Sequence, residues 1–300
     1  MDSPAAIALL YTLLCLIWGS TWLAIKVGLV GVPPFLGAGL RFALAAAVLF
    51  AIVAWRRLPL KMDRDGRKAV LSCGFLSFTA CYAGVYWAEQ YVSSGVSAVL
   101  YCTMPLATAL LSRFWTRAES LTAMKVAGIA LGMAGTVALF WTGEAVAGRQ
   151  FWGMAVCLAS AIGASVNLVT VKKHGRGMNV FVMNACGMAI GAACLLLMSV
   201  AVESYAALRW TPSNALAIVY LSLAGTVVTF VTYYHLLRLM DATRLSLISL
   251  IFPIIALLLG AAFGGERITG GSVASIAAVL AGVAVASAPR RRRSPVPIRV

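Results

Sequence analysis

The sequence predicts an all-α integral membrane protein. Ten transmembrane helices form two inverted five-helix repeats around a central cavity, with both termini cytoplasmic. Three observations predict it. The 300 residues are 62% hydrophobic and only 11% charged, against roughly 25% charged in a soluble domain. The basic residues gather in alternate loops. Finally, a proline inside an apolar run followed by a lone glutamate occurs twice, in AVLYCTMPLATALLSRFWTRAES from Ala98 and in SLISLIFPIIALLLGAAFGGER from Ser246.

Crossing a bilayer as a helix takes about 20 mostly apolar residues. Apolar runs between charged or Gly/Pro-rich breaks place spans at roughly 5–25, 35–55, 69–88, 92–112, 122–141, 151–171, 180–202, 214–237, 245–263 and 270–288. The connections leave no room for a soluble domain, so function must lie within the helices or at their mouths. Nineteen of the 24 Lys and Arg fall in loops after even-numbered spans or in the tail RRRRSPVPIRV. Positive charge stays cytoplasmic, which fixes both termini inside and makes residues 290–300 an anchoring basic tail. Trp55 and Trp115 fall at inner ends, and Trp22, Trp87, Trp141, Trp152 and Trp210 near outer ends, where indole rings anchor. Trp18 lies deeper, about 10 Å inside span 1 on the helix rise.

The same features exclude other classes. The net charge is +15, yet no loop interleaves basic and aromatic residues as a nucleic-acid groove would. The seven cysteines sit in apolar runs without a CxxC pair and read as small buried side chains, with no disulfide, metal or cofactor expected. No GxSxG, HExxH or Walker loop and no deep carboxylate pair supports an enzyme. A channel would need a continuous polar lining. MDSPAAIALL has no basic n-region, so it reads as the start of span 1 and not as a signal peptide.

The two proline blocks organise the chain. Pro105 and Pro253 stand 148 residues apart. LTAMKVAGIALGMAGTVA after Glu119 parallels ITGGSVASIAAVLAGVAV after Glu266, with Gly135 and Gly282 in matching places. Lys26 after span 1 has a looser counterpart in Lys172 after span 6. These are two halves, 1–148 and 149–289, and because five spans is an odd number the second half must enter the membrane from the opposite side. Inverted repeats with interrupted helices at matching positions point to a transporter's central site. Pro105 cannot donate to the carbonyl of Tyr101, nor Pro253 to that of Ser249. Such freed acceptors at mid-membrane must face protein, water or ligand, so the prolines are either hinges beside a site or packing kinks. Glu119 and Glu266 have a structural reading: they head spans 5 and 10, where a carboxylate complements the helix dipole, and Ser120, Thr122 and Thr269 offer caps.

Candidate substrate contacts are Trp18, Tyr82, Tyr86, Tyr101, Asn167, Tyr234 and the Ser249 carbonyl. Tyr82 and Tyr86 share a helix face, which Phe75 and Phe78 extend, and Trp18–Trp22 and Phe230–Tyr234 pair likewise. Each stripe is either packing or a substrate wall, and Asn167 serves either a neighbouring helix or a ligand. Arg41, about 9 Å below the outer edge of span 2, is either a functional charge or an outer-gate partner of Glu89 at the end of span 3. His235 is expected at the inner interface and His174 in a loop. With no carboxylate at the midplane, no proton relay is expected. Substrate would be held by freed carbonyls, helix ends and Tyr or Asn side chains, not by buried ions, and driven by its own gradient. Gly128-x-x-x-Gly132 and Ala277-x-x-x-Ala281 allow spans 5 and 10 to approach closely. A monomer or a weak homodimer in the lipid bilayer follows.

The run WGSTWLAIK from Trp18, the stretch PPFLGAGLRF from Pro33 and the two proline blocks together resemble the EamA-type branch of the drug/metabolite transporter superfamily, from about residue 5 to 288. Within it the chain resembles bacterial amino-acid exporters, in particular the aromatic amino-acid exporter family. That resemblance implies a cavity between the halves and alternating-access export of small metabolites across the bacterial inner membrane. Amino acids, including aromatic ones, Met and Thr, are the implied substrates. Lipophilic or cationic drugs, or another small metabolite, are the alternative. Exporters of such drugs usually offer a membrane-embedded carboxylate, and none is evident here. The second half departs from the pattern, lacking counterparts to Arg41 and to Trp18–Gly19.

Overall fold

The computed structural model describes residues 3–92, 94–116, 122–140, 148–263 and 270–287. Glu119, Ser120, Trp141, Glu266, Thr269 and the basic tail therefore lie outside the described residues. In chain order the helices are α1 (Pro4–Gly28), α2 (Pro34–Trp55), α3 (Arg64–Ala88), α4 (Val96–Thr116), α5 (Ala123–Phe140), α6 (Arg149–His174), α7 (Val180–Val202), α8 (Pro212–Leu239), α9 (Ala242–Ser246 continued by Ile248–Phe263) and α10 (Gly270–Ser287). Seven of them are long and apolar enough to cross a membrane, while α5, α9 and α10 have shorter apolar stretches. Among the described residues there is no strand. The protein is a multi-pass helical membrane protein.

Local chemistry sets the helix starts. Ser3 accepts from the Ala6 amide at 3.2 Å, Asp63 from Gly66 at 2.7 Å and Thr122 from Lys125 at 3.2 Å. Each satisfies a donor that the first turn leaves open. Pro34 and Pro212 stand in first turns, where the missing N–H costs nothing. At α2 a second device is added: the carboxylate of Glu203, just past α7, accepts from the Phe35 and Leu36 amides at 2.6 and 3.0 Å.

Three helices leave the α pattern, α4 only in its last turns over Ser112–Thr116, and α3 and α8 partway. α3 runs as a π-helix over Ser72–Cys81 and α8 over Leu223–Val228. Thr79 and Thr226 donate to carbonyls five residues back, Gly74 and Leu221, at 2.8 and 2.7 Å, as a widened turn requires. This corrects the expectation that Phe75 and Phe78 share a face. Phe75 is exposed while Phe78 is fully buried, because a π turn moves face-sharing toward residues four or five apart.

Trp55, Trp152 and Trp210 are exposed as interface anchors should be. Trp22 is not: it is 6% exposed and packs edge-on against Tyr101, ring centres 5.2 Å apart. Its place near a helix end concealed that it faces inward.

α5 and α10 pack through glycine. A Cβ on Gly282 would stand 2.4 Å from the Gly132 nitrogen and 2.6 Å from the Gly128 carbonyl oxygen, and one on Gly135 would stand 2.9 Å from the Ser275 oxygen. The glycine face of α5 is the expected one. On α10 the contact stripe is Ser275, Ala278, Gly282 and Ala286, whereas Ala277 and Ala281 face outward. An apolar helix rich in alanine carries several small-residue stripes, and spacing alone does not choose among them.

The two proline sites differ. Before Pro105 the helix stops at Cys102–Thr103 and restarts at Met104, leaving the proline in a first turn. Pro253 lies inside the continuous helix Ile248–Phe263. The carbonyl it frees, Ser249 O, accepts from the Cys102 thiol at 3.3 Å. Both prolines are buried.

Lys26 and Lys172 do the same work at two places. Lys26 Nζ donates to the carbonyls of Glu89 and Val92 at 3.2 Å each, closing the end of α3. Lys172 Nζ donates to the carbonyls of Leu237 and of Met240, the latter at 2.6 Å, closing the end of α8. The two clamps occupy opposite ends of the bundle. Asp65 at the start of α3 lies 3.1 Å from His174 at the end of α6, so the Lys172 end is where α3 begins and the Lys26 end is where it finishes.

Candidate functional site

A cavity of about 100 Å³ lies where α1, α2, α3, α4, α6, α8 and α9 converge. Trp18, Tyr82, Tyr101, Asn167, Tyr234 and Ser249 all line it, together with Arg41. Tyr86 stands behind this wall, reached through Arg41. Sequence reasoning passed over Thr21, Tyr233 and Ser246, which also face the cavity. Trp22 and Phe230 join them, Trp22 having been read as an interface anchor and both as partners of other rings. The available signal was the four-residue spacing of Trp18, Trp22 and Phe230, Tyr234, which carried both members of each pair inward.

Rings build most of the wall. Trp18 meets Phe230 and Tyr233 edge-on with centres 5.3 and 4.8 Å apart. Phe42 meets Tyr82 at 4.7 Å, and Phe230 meets Phe78 at 4.9 Å. Edge-to-face packing at these distances is favourable for aromatic quadrupoles and leaves ring faces available to a ligand. The indole N–H of Trp22 is buried without a hydrogen-bond partner, a donor that a ligand in the cavity would satisfy.

Arg41 supplies charge. It is 1% exposed, and its Nε donates to Thr226 Oγ1 at 2.7 Å, its Nη2 to the Gly225 carbonyl at 2.9 Å and its Nη1 to Tyr86 OH at 3.4 Å. Its guanidinium carbon stands 4.9 Å from the Tyr82 ring centre. Gly225 and Thr226 belong to the π segment of α8, whose unwound turn frees a carbonyl for both Arg41 and Trp18 Nε1, the latter at 3.4 Å. Two expectations are corrected here. Arg41 makes no ion pair with Glu89, whose carboxylate oxygens have no hydrogen-bond partner among the described residues. The site also holds a buried ion after all, because helix irregularity on α8 supplies acceptors that sequence does not display.

Asn167 and Tyr234 form one wall of the cavity. Asn167 Nδ2 donates to Tyr234 OH at 2.8 Å, Ser72 Oγ donates to Asn167 Oδ1 at 2.9 Å, and Cys73 Sγ contacts Tyr234 OH at 3.5 Å. Beyond Tyr234 lies a second hollow of about 370 Å³, bordered by Lys172, Arg176 and Arg238. At the other end a hollow of about 460 Å³ is bordered by Trp87, Gln90, Tyr91 and Glu203. The arrangement is an aromatic, singly charged chamber between two wider mouths, able to hold a small amphipathic molecule.

A chamber of this kind within a multi-pass helical bundle is suited to a membrane transport protein, and the family relationship gives that class. The model of the EamA-like transporter family matches residues 5–141 and again residues 151–288, and the chain belongs to that family. It is 28% identical to the uncharacterized transporter YoaV of Bacillus subtilis (strain 168), over 85% of this chain and 87% of that protein. It is 31% identical to the uncharacterized inner membrane transporter YedA of Escherichia coli (strain K12), over 85% and 82%. A solved crystal structure, described only as that of a protein, superimposes with a TM-score of 0.79 at 25% identity, covering 95% of this chain and 97% of its own.

Proposed function

We propose that the protein exports amino acids, with broad specificity that includes aromatic ones, Met and Thr, across the bacterial inner membrane. The observation that carries this reading is Arg41 set among ring faces: a carboxylate would meet the guanidinium and an apolar side chain the rings of Trp18, Tyr82 and Phe230. Ten spans in two inverted halves are part of the proposal. It is supported by the two proline sites, the mid-helix π segments of α3 and α8 and the paired lysine clamps at opposite ends of the bundle. Movement is alternating access, the halves rocking about Pro105 and Pro253.

The cavity of about 100 Å³ is smaller than the roughly 300–1,000 Å³ of typical small-molecule sites, so loading requires a wall to part. Tyr234, which borders both the chamber and the basic hollow, is that wall on the side proposed to be cytoplasmic. Efflux of lipophilic cations is the second reading, since Glu89 is a buried carboxylate, but the charge lining the chamber is positive and disfavours it. Counterflow into proteoliposomes against amino acids, nucleosides, sugars and quaternary amines tests both. Phe, Trp, Met and Thr should exchange; activity confined to quaternary amines would overturn the amino-acid reading.

A further inference from the structure

Glu89 is a core charge for which the chamber has no evident use. It is 1% exposed, neither carboxylate oxygen has a hydrogen-bond partner, and no salt bridge to it occurs among the described residues. Its position follows from helix spacing. Ser77, Cys81 and Val85 line the chamber at intervals of four, and Glu89 is the next member of that stripe. Its chain neighbours Trp87, Gln90 and Tyr91 border the hollow of about 460 Å³ on the far side. The carboxyl thus stands in the partition between chamber and vestibule.

The groups facing it are Lys26 from α1, Arg41 from α2, Tyr86 on its own helix, Tyr101 from α4 and Cys157 from α6. Both cations are turned elsewhere. Lys26 is held by the main-chain carbonyls of Glu89 and Val92, and Arg41 by Thr226, Gly225 and Tyr86. A carboxylate sealed from water without a hydrogen-bonded partner is costly, and a bound proton removes that cost. When either the vestibule or the chamber fills with water, hydration removes it instead. Ionisable groups within a bundle mark proton pathways for the same reason.

We propose that Glu89 is a proton-binding site through which substrate export is coupled to proton entry. The carboxylate takes a proton from water at the vestibule, keeps it as the neutral acid while sealed, and releases it to water in the chamber once the Tyr234 side opens. This rests on the transport reading above and replaces a purely gradient-driven cycle.

Two measurements on the purified full chain test it. Dicyclohexylcarbodiimide, an apolar reagent for protonated carboxyl groups, should modify Glu89, located by peptide mass, with labelling that fades as pH rises. No labelling at Glu89 at any pH would overturn the proposal without touching the transport reading. In proteoliposomes loaded with L-phenylalanine or L-threonine, a pH gradient should drive uphill movement with measurable proton flux. Glu89→Gln should abolish the uphill component while retaining counterflow exchange. Uphill transport without proton flux in the unaltered protein, or uphill transport preserved in Glu89→Gln, would sink the coupling while leaving export intact.

Discussion

The thiol of Cys102 caps the Ser249 carbonyl at 3.3 Å. Cys102 sits at the break ahead of Pro105 and shares its thiol between the Ala98 and Ser249 carbonyls; Ser249 is the acceptor that Pro253 leaves open, so the first proline site serves the second across the interface of the proposed halves. A net hydrogen bond contributes about 0.5–1.5 kcal/mol, and an orphaned buried acceptor costs about 1–3 kcal/mol. Cys102→Ala should therefore lower the thermal midpoint in detergent, and Cys102→Ser should keep most of it. Equal midpoints for Cys102→Ala and the parent chain would mean that the contact carries no stability.

Gly282 tests the packing of α5 on α10. Because its Cβ would meet main-chain atoms of Gly128 and Gly132, even Gly282→Ala should destabilise by about 1–3 kcal/mol. Ala281→Leu, on the outward face, should be neutral. Midpoints from a cysteine-independent melting assay decide between the two faces.

Arg41 should tolerate no substitute. Lys keeps the charge but not the fork, so Arg41→Lys cannot serve Thr226, Gly225 and Tyr86 together. Losing one charge-assisted bond costs about 1.5–3 kcal/mol, which predicts a fall of ten-fold or more in counterflow for both Arg41→Lys and Arg41→Ala. Trp152→Ala, an exposed anchor, should exchange normally, while Trp18→Ala and Tyr82→Ala should not.

Tyr234→Phe keeps the ring and removes the hydroxyl that Asn167 and Cys73 contact. The wall should then open more readily, and Cys73, fully buried here, should react faster with a water-soluble maleimide in inside-out vesicles. Unchanged labelling would show that the hydroxyl does not hold the wall shut.

Much of this architecture was readable as pattern. The Lys26–Lys172 match and the inward aromatics of α1, α3 and α8 follow from spacing, because a helix projects its periodicity faithfully. What failed to show has one common cause. A π turn leaves no compositional mark, yet it moves Phe75 to the outside, frees the Gly225 carbonyl and so decides where Arg41 points. The burial of Glu89 was hidden for a related reason: a residue one position past a helix looks interfacial until its neighbours from other helices are known. The choice among small-residue stripes on α10 likewise depends on a partner helix that the chain alone does not orient.

The lysine clamps have a mechanical consequence. Each rivets the tip of one long helix to the tip of another, Lys26 binding α1 to α3 and Lys172 binding α6 to α8. Riveted pairs swing as struts, so flexure is driven into the softer lengths between rivets, where the π coils lie. In the proposed alternating-access cycle this confines the moving parts to the middle of the protein, next to whatever it carries.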